Sequence, residues 1–215
     1  MGSIAYNCNT SGILVQPAKV TCPQKFGQIV KMFFRIVPTS ATPNTLTPTN
    51  ILTQATWQAL IDETDASKII VSEPIGSFTL PTVEPVIVGD NSNEMPFGLG
   101  EITGFNSQQV APFFINMPTE IAEQYRGLTP YSTTGQLEAF FITELGQIIA
   151  DTKGGNPTGI RIRNFTVGSV TSEGINAPNK HPFFFYLEGQ WDKNVKVYTP
   201  VTFNPLDLVG TVAVS

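Results

Sequence analysis

Charge is what this sequence has least of. Asp, Glu, Lys and Arg make up 13% of its 215 residues, against 41% hydrophobic, where a soluble domain ordinarily carries about 25% charged residues. Thr, Asn, Gln, Ser, Pro and Gly fill the gap. Such a surface gives up water cheaply, because neutral polar groups exchange solvent for partner groups without an ion's burial penalty. It reads as an exterior made to touch other protein. Histidine is nearly absent too: His181 stands alone, and with Cys8 and Cys22 spaced fourteen apart it matches no zinc pattern. As a catalytic base it would need a Ser, Cys or Asp partner that nothing in the sequence singles out. Between Lys180 and Pro182 it is expected at a loop-to-strand edge, in a structural or surface role. The reading is therefore not an enzyme, with no catalytic residue, cofactor, metal or small-molecule substrate.

Long apolar runs are missing as well. No stretch approaches the roughly eighteen residues needed to span a bilayer, and no membrane role is expected. The start, Met1-Gly2-Ser3-Ile4, lacks the basic and apolar regions of a secretion signal, and Tyr6 stands where myristoylation prefers Ser or Thr. A soluble protein made in a cytoplasm is expected. Cys8 and Cys22 are then expected reduced, with a disulfide closing that short loop as the alternative. The net charge of −5 and sequence pI of ≈ 4.8 argue against an electrostatic nucleic-acid footprint.

What is present is mostly strand. Residues 27–37 are β-rich, interrupted by Lys31 and Arg35 and ended by Pro38. Residues 39–50 show no hydrophobic period and read as a loop or extended arm. Trp57, Leu60 and Ile61 then recur at helical spacing after Thr53, an N-cap candidate. The acids at 62–65 sit at the wrong end of the helix dipole, so this helix is predicted to be short. Strands are expected at 68–72, 77–80 and 83–88, the last demoted to an edge or bulge by Pro85, with 89–93 as a turn. Residues 39–100 thus read as an irregular, loop- and arm-rich, insertion-like section within one structural domain spanning 1–215.

The second half is more regular. Strands are expected at 102–105 and 110–115, and a helix at 120–126 with acids first, Arg126 last and Gly127 after it. Residues 137–143 and 148–151 form the best hairpin, with Gly146 where a turn needs positive φ. Ile160 and Ile162 should face inward and Arg161 and Arg163 outward, with the alternation slipping at a bulge near Asn164. Strands follow at 182–188 and 195–198, and the tail 203–209 either docks on the body or reaches a neighbour. The fold class predicted is mainly β: a β-sandwich or barrel with one or two short flanking helices and long interaction loops.

Other constellations have ordinary explanations. Gly98-Leu99-Gly100 and Gly154-Gly155 are turns, not phosphate loops. Glu138, Glu144 and Asp151 surround one hairpin, which invites a paired-carboxylate reading, but a solvated hairpin end accounts for them. Asp90, Asn91, Asn93 and Glu94 lack the ordered spacing of a calcium loop. Asn164-Phe165-Thr166 is a glycosylation triplet inside a strand. Phe183 to Tyr186 could stack on bases, yet consecutive aromatics point to both faces of a sheet. In an acidic chain these faces should be covered by core on one side and a helix or partner subunit on the other.

Gly104-Phe105, Phe113-Phe114-Ile115, the helix ending Tyr125-Arg126-Gly127, the hairpin Phe140-Phe141-Ile142 with Gly146-Gln147-Ile148-Ile149, and the run from Phe165 to Trp191 together resemble virion structural proteins of tailed bacteriophages. The organisation is most similar to a tail tube protein, and also to small structural proteins of phages that infect Bacteroidetes. The resemblance covers roughly residues 100–200. It implies a virion component assembled in the host cytoplasm: a self-assembling homo-oligomer of hexameric rings, stacked with other virion proteins around a channel. Double-stranded DNA would pass through an acidic channel without specific binding. On this reading 39–50 and 72–100 are arms between rings, and Arg161 and Arg163 sit at an interface facing acids. The alternatives are an auxiliary or cement capsid protein, a head–tail connector ring, or a carbohydrate-binding β-sandwich with Trp57, Trp191 and Tyr198 as an aromatic platform.

Overall fold

The computed structural model describes residues 27–89, 100–152, 154–172, 174 and 177–210. Cys8, Cys22 and the loop residues Asp90, Asn91, Asn93 and Glu94 lie outside them. The chain forms, in order, β1 (Ile29–Ile36), α1 (Gln54–Asp62), β2 (Ile69–Val71), β3 (Ile75–Gly76), β4 (Pro85–Val88), β5 (Glu101–Phe105), β6 (Gln108–Val110), β7 (Phe113–Ile115), α2 (Thr119–Arg126), α3 (Thr129–Thr133), β8 (Leu137–Thr143), β9 (Ile148–Asp151), β10 (Ile160–Val167), β11 (Lys180–Leu187) and β12 (Val195–Tyr198). The fold is mainly β, built on a large antiparallel sheet. No helix among the described residues is long and apolar enough to cross a membrane.

Neighbouring strands run β1–β8–β10–β11–β7–β3, and β2 pairs with the other edge of β1. Only residues 72–74 separate β2 from β3, so the circuit of ladders closes on itself at this bend. Ser72 makes the closure: its N–H donates to the Met32 carbonyl at 2.8 Å, and its Oγ accepts from the Met32 N–H at 2.8 Å. Closing a sheet leaves fewer bare strand edges.

The period-two alternation of the strands feeds two cores. Met32 and Phe34 of β1 join Ala139 and Phe141 of β8 in a first core with Phe114, Phe165, Phe183 and Phe185. Phe33, Phe140, Ile142 and Ile148 point the other way, into a second core closed by Trp57, Leu60 and Ile61 of α1 and by Leu46 and Leu208. Every residue of β8 is therefore buried, which is why 137–143 reads as an apolar run interrupted by Glu138 instead of alternating apolar and polar residues. β10 faces the first core on one side only: Ile160, Ile162, Phe165 and Val167 are buried while Arg161 and Arg163 are exposed. The slip foreseen near Asn164 is present. Asn164 has φ +51, and the β10–β11 register shifts between Arg163 and Thr166. The Phe165 N–H donates instead to Ser132 Oγ of α3 at 2.9 Å.

Several expectations fail for identifiable reasons. Of the two readings of 39–50, the loop holds and the extended arm does not. Leu46 is fully buried, Asn44 Oδ1 accepts from Arg35 Nη1 at 3.1 Å, and Asn44 Nδ2 donates to the Pro157 carbonyl at 2.8 Å. Within 39–89, α1 covers the second core and β2 and β3 close the strand circuit. The strand expected at 77–80 lies earlier, at β3, and Ser77 with φ +56 turns the chain out of it. The strand expected at 110–115 is broken at Pro112 into β6 and β7, which pair with successive parts of β11. Beside the short helices expected stands α3, a five-residue helical turn that was not foreseen. The tail docks rather than reaching away: Lys31 Nζ donates to the carbonyls of Leu206 at 2.9 Å and Leu208 at 2.7 Å. Burial lowers the Lys31 pKa, opposed by the charges of Glu73 and Asp207.

Candidate interaction surface

One element stands outside the closed body. β4 and β5 pair only with each other, Val86 opposite Gly104 and Ile87 opposite Ile102. Pro85 opens β4, where its missing N–H costs the ribbon nothing at an outer edge. The register shift between Val86 and Ile87 leaves Thr103 as an extra residue on β5. The base is fastened by the Asn106 N–H donating to the Glu84 carbonyl at 3.0 Å. It also rests on Gly189, where any Cβ would stand 2.6 Å from the Phe105 carbonyl oxygen.

The ribbon leaves its apolar side chains in water. Ile87 is 48%, Val88 53% and Ile102 58% exposed. An isolated two-stranded ribbon is marginal in water unless something packs against it. Clustered exposed aliphatics on an element with open edges are the ordinary mark of a protein contact. The sequence signal was the Pro-bearing strand at 83–88, read as an edge; its pairing with 102–105 was not foreseen.

The other expected sites lie elsewhere. His181 is the second residue of β11, at the loop-to-strand edge expected, and of the two roles foreseen it has the structural one: it is buried, on the face it shares with Phe183, Phe185 and Leu187. Neither ring nitrogen has a hydrogen-bond partner among the described residues. Glu138 is not part of a solvated hairpin end. It is buried opposite Arg35, whose Nε donates to Glu138 Oε1 at 2.8 Å and whose Nη2 pairs with the same oxygen. Burial pushes the Glu138 carboxyl above its usual range, with Arg35 pulling it back. Glu144 is exposed at the hairpin turn, far along the strand from Glu138. Asp151 lines a ≈ 210 Å³ depression with Glu138 and Arg161. With its side chain 3% exposed and locked to Arg35, Glu138 is not presented to a substrate.

Arg163 does meet an acid, Glu188, through Nε at 2.8 Å within its own chain, whereas Arg161 forms no ion pair among the described residues. The aromatic platform does not assemble. Trp57 is fully buried and donates from Nε1 to the Ile51 carbonyl at 2.8 Å; Trp191 packs on the first core and Tyr198 on the second. Phe183 and Phe185 belong to the first core, while Phe184 and Tyr186 face the other way and are half-buried. Among the described residues no three His, Cys, Asp or Glu converge as a metal site.

No protein family, curated protein or solved structure matches this chain.

Proposed function

We propose that this protein is a structural subunit that assembles with copies of itself, as the rings of a phage tail tube do, and works in the virion rather than as an enzyme. The observation that carries the reading is the β4–β5 ribbon, an apolar, open-edged element that the chain's own core leaves uncovered. Subunits that must stack while keeping their own core closed need such an outlying element. The low charge supports the same conclusion, since neutral polar surface is cheap to bury against a neighbour. An acidic tube would let DNA slide past without holding it.

The test is a concentration series of the purified full chain, followed by sedimentation velocity and negative-stain electron microscopy. Rings or open-ended tubes forming from the protein alone are expected. A monomer at every concentration overturns the reading, and so does association only with a preformed capsid lattice, which is the cement-protein outcome.

A further inference from the structure

The charges of this chain are segregated. Residues 69–125 contain seven acids and no Lys, Arg or His, and Glu84 and Glu101 of that stretch flank the exposed ribbon at its base and outer end. Cations elsewhere are mostly engaged within the chain: Arg35 with Glu138, Arg126 with Glu123, Arg163 with Glu188, and Lys31 with two carbonyls. Lys68, Arg161, Lys193 and Lys196 differ, their side chains having neither a hydrogen bond nor an ion pair among the described residues, and the last three lie together. Arg161 and Lys193 line one ≈ 400 Å³ depression beside β12, and Lys196 is the exposed residue of β12 itself. The acids beside them are Glu188, already held by Arg163, together with Asp151 and Asp192.

β12 is also one of the strands at which the large sheet ends, as are β2, β3 and β6. It pairs with β9 on one side and with no described strand on the other. Three residues beyond it, Val201 is 92% exposed. The body thus offers an open strand edge, free cations and a bare aliphatic side chain in one place. The ribbon offers the complement: an open edge, acids and bare aliphatics. Pro85 removes a donor from the β4 edge, which leaves β5 as the edge able to extend a ladder.

We infer that β5 of one copy adds to the open edge of β12 in a second copy, with Glu84 and Glu101 meeting Lys193 and Lys196, and with Ile102 resting near Val201. This rests on the self-association proposed above and names the two surfaces that carry it. Like-with-like pairing is disfavoured by the same charges. Two ribbons would set acids beside acids, and two β12 edges lysines beside lysines, and like charges across a strand pair are destabilising. The contact is therefore between different surfaces, so each copy gives one and receives one. Such a contact propagates into a ring or a filament.

Charge exchange tests it. One variant carries Glu84→Lys and Glu101→Lys, and another carries Lys193→Glu and Lys196→Glu. All four positions are exposed, and unchanged melting of each monomer checks the fold. Each variant alone should need about tenfold or more higher concentration to associate, since two opposite-charge pairs become like-charge pairs. Mixed in equal amounts they should associate as the unaltered protein does, because each ribbon then finds an opposite charge on the other variant. If the unaltered protein associates and the variants do so equally well, or if mixing restores nothing, the ribbon–β12 contact is wrong while self-association stands. If the unaltered protein never associates, both fail.

Discussion

The Arg35–Glu138 pair is a quantitative test of how the second core is held. The two residues sit directly opposite on β1 and β8, with side chains 2% and 3% exposed. Residues 39–50 cover them through Asn44. Glu138→Leu leaves a guanidinium that cannot deprotonate, retaining Asn44 Oδ1 and the Phe140 ring, whose centroid lies 5.3 Å from Cζ. Stranding a buried charge costs about 3–5 kcal/mol, and this variant should fall at the upper end. Arg35→Met strands a carboxyl instead, which can escape the penalty by taking up a proton, so its loss should be smaller, about 3 kcal/mol. The double variant has no charge to strand and should lie within about 2 kcal/mol of the unaltered protein. Urea denaturation of all four proteins gives the coupling energy. In thermal melts, the Glu138→Leu loss corresponds to about 10–20 °C for a chain of this size. If the two single losses simply add in the double variant, the pair is not what stabilises this region.

In the Arg35→Met background the same carboxyl sets a pH dependence. Burial raises its pKa and Arg35 is the chief influence opposing this, so without the guanidinium the folded protein holds that proton more tightly than the unfolded chain. Its contribution to stability is fully present below the unfolded pKa and is lost as pH rises through the folded one, by at most about 1.4 kcal/mol per pH unit. Relative to Arg35→Met with Glu138→Gln, Arg35→Met alone should therefore lose stability as pH is raised from the ordinary carboxyl value; a relative gain would contradict the assignment. His181→Leu should stabilise the fold, because two unpaired ring nitrogens leave the first core. Each unmet polar atom costs about 1–3 kcal/mol and a near-isosteric swap gives back up to about 1.5, so a net gain of about 1–2 kcal/mol is expected in urea melts. Destabilisation would mean that the imidazole is satisfied after all.

The parts of this fold that were legible in the sequence are those fixed by local alternation. β8, β9 and β10 follow from their apolar patterns, and the bulge at Asn164 from a break in that pattern. What escaped was fixed by partners distant in sequence. Residues 39–50 have no period because side-chain bonds hold them: Asn44 Nδ2 donates to the Pro157 carbonyl at 2.8 Å, 113 residues away. Polar composition there mimics a free arm. α3 is short and lacks an apolar stripe, and its place depends on Ser132 serving the Phe165 N–H across 33 residues. Glu138 was misjudged by its neighbours in sequence, the hairpin acids, when its true neighbour is Arg35. A clue was available, since each residue is a charge set within an apolar strand and the two are of opposite sign.

These same partnerships decide which surfaces remain for other molecules. Arg35, Lys31 and Glu138 are spent inside the chain, fastening the 39–50 loop, the tail and the two central strands. The strand circuit is closed at Ser72, and both faces of β8 are buried. Among the open ladder edges of the described residues are those of the β4–β5 ribbon and of β12, and these two carry exposed charges of opposite sign. A ribbon left uncovered for no purpose would be an aggregation hazard, and proteins ordinarily blunt such edges with charges of both signs, bulges or proline. Here proline guards β4 and a bulge interrupts β5, yet Ile87, Val88 and Ile102 stay bare. Partial protection of this kind suits an edge that must refuse indiscriminate pairing while accepting one oppositely charged strand.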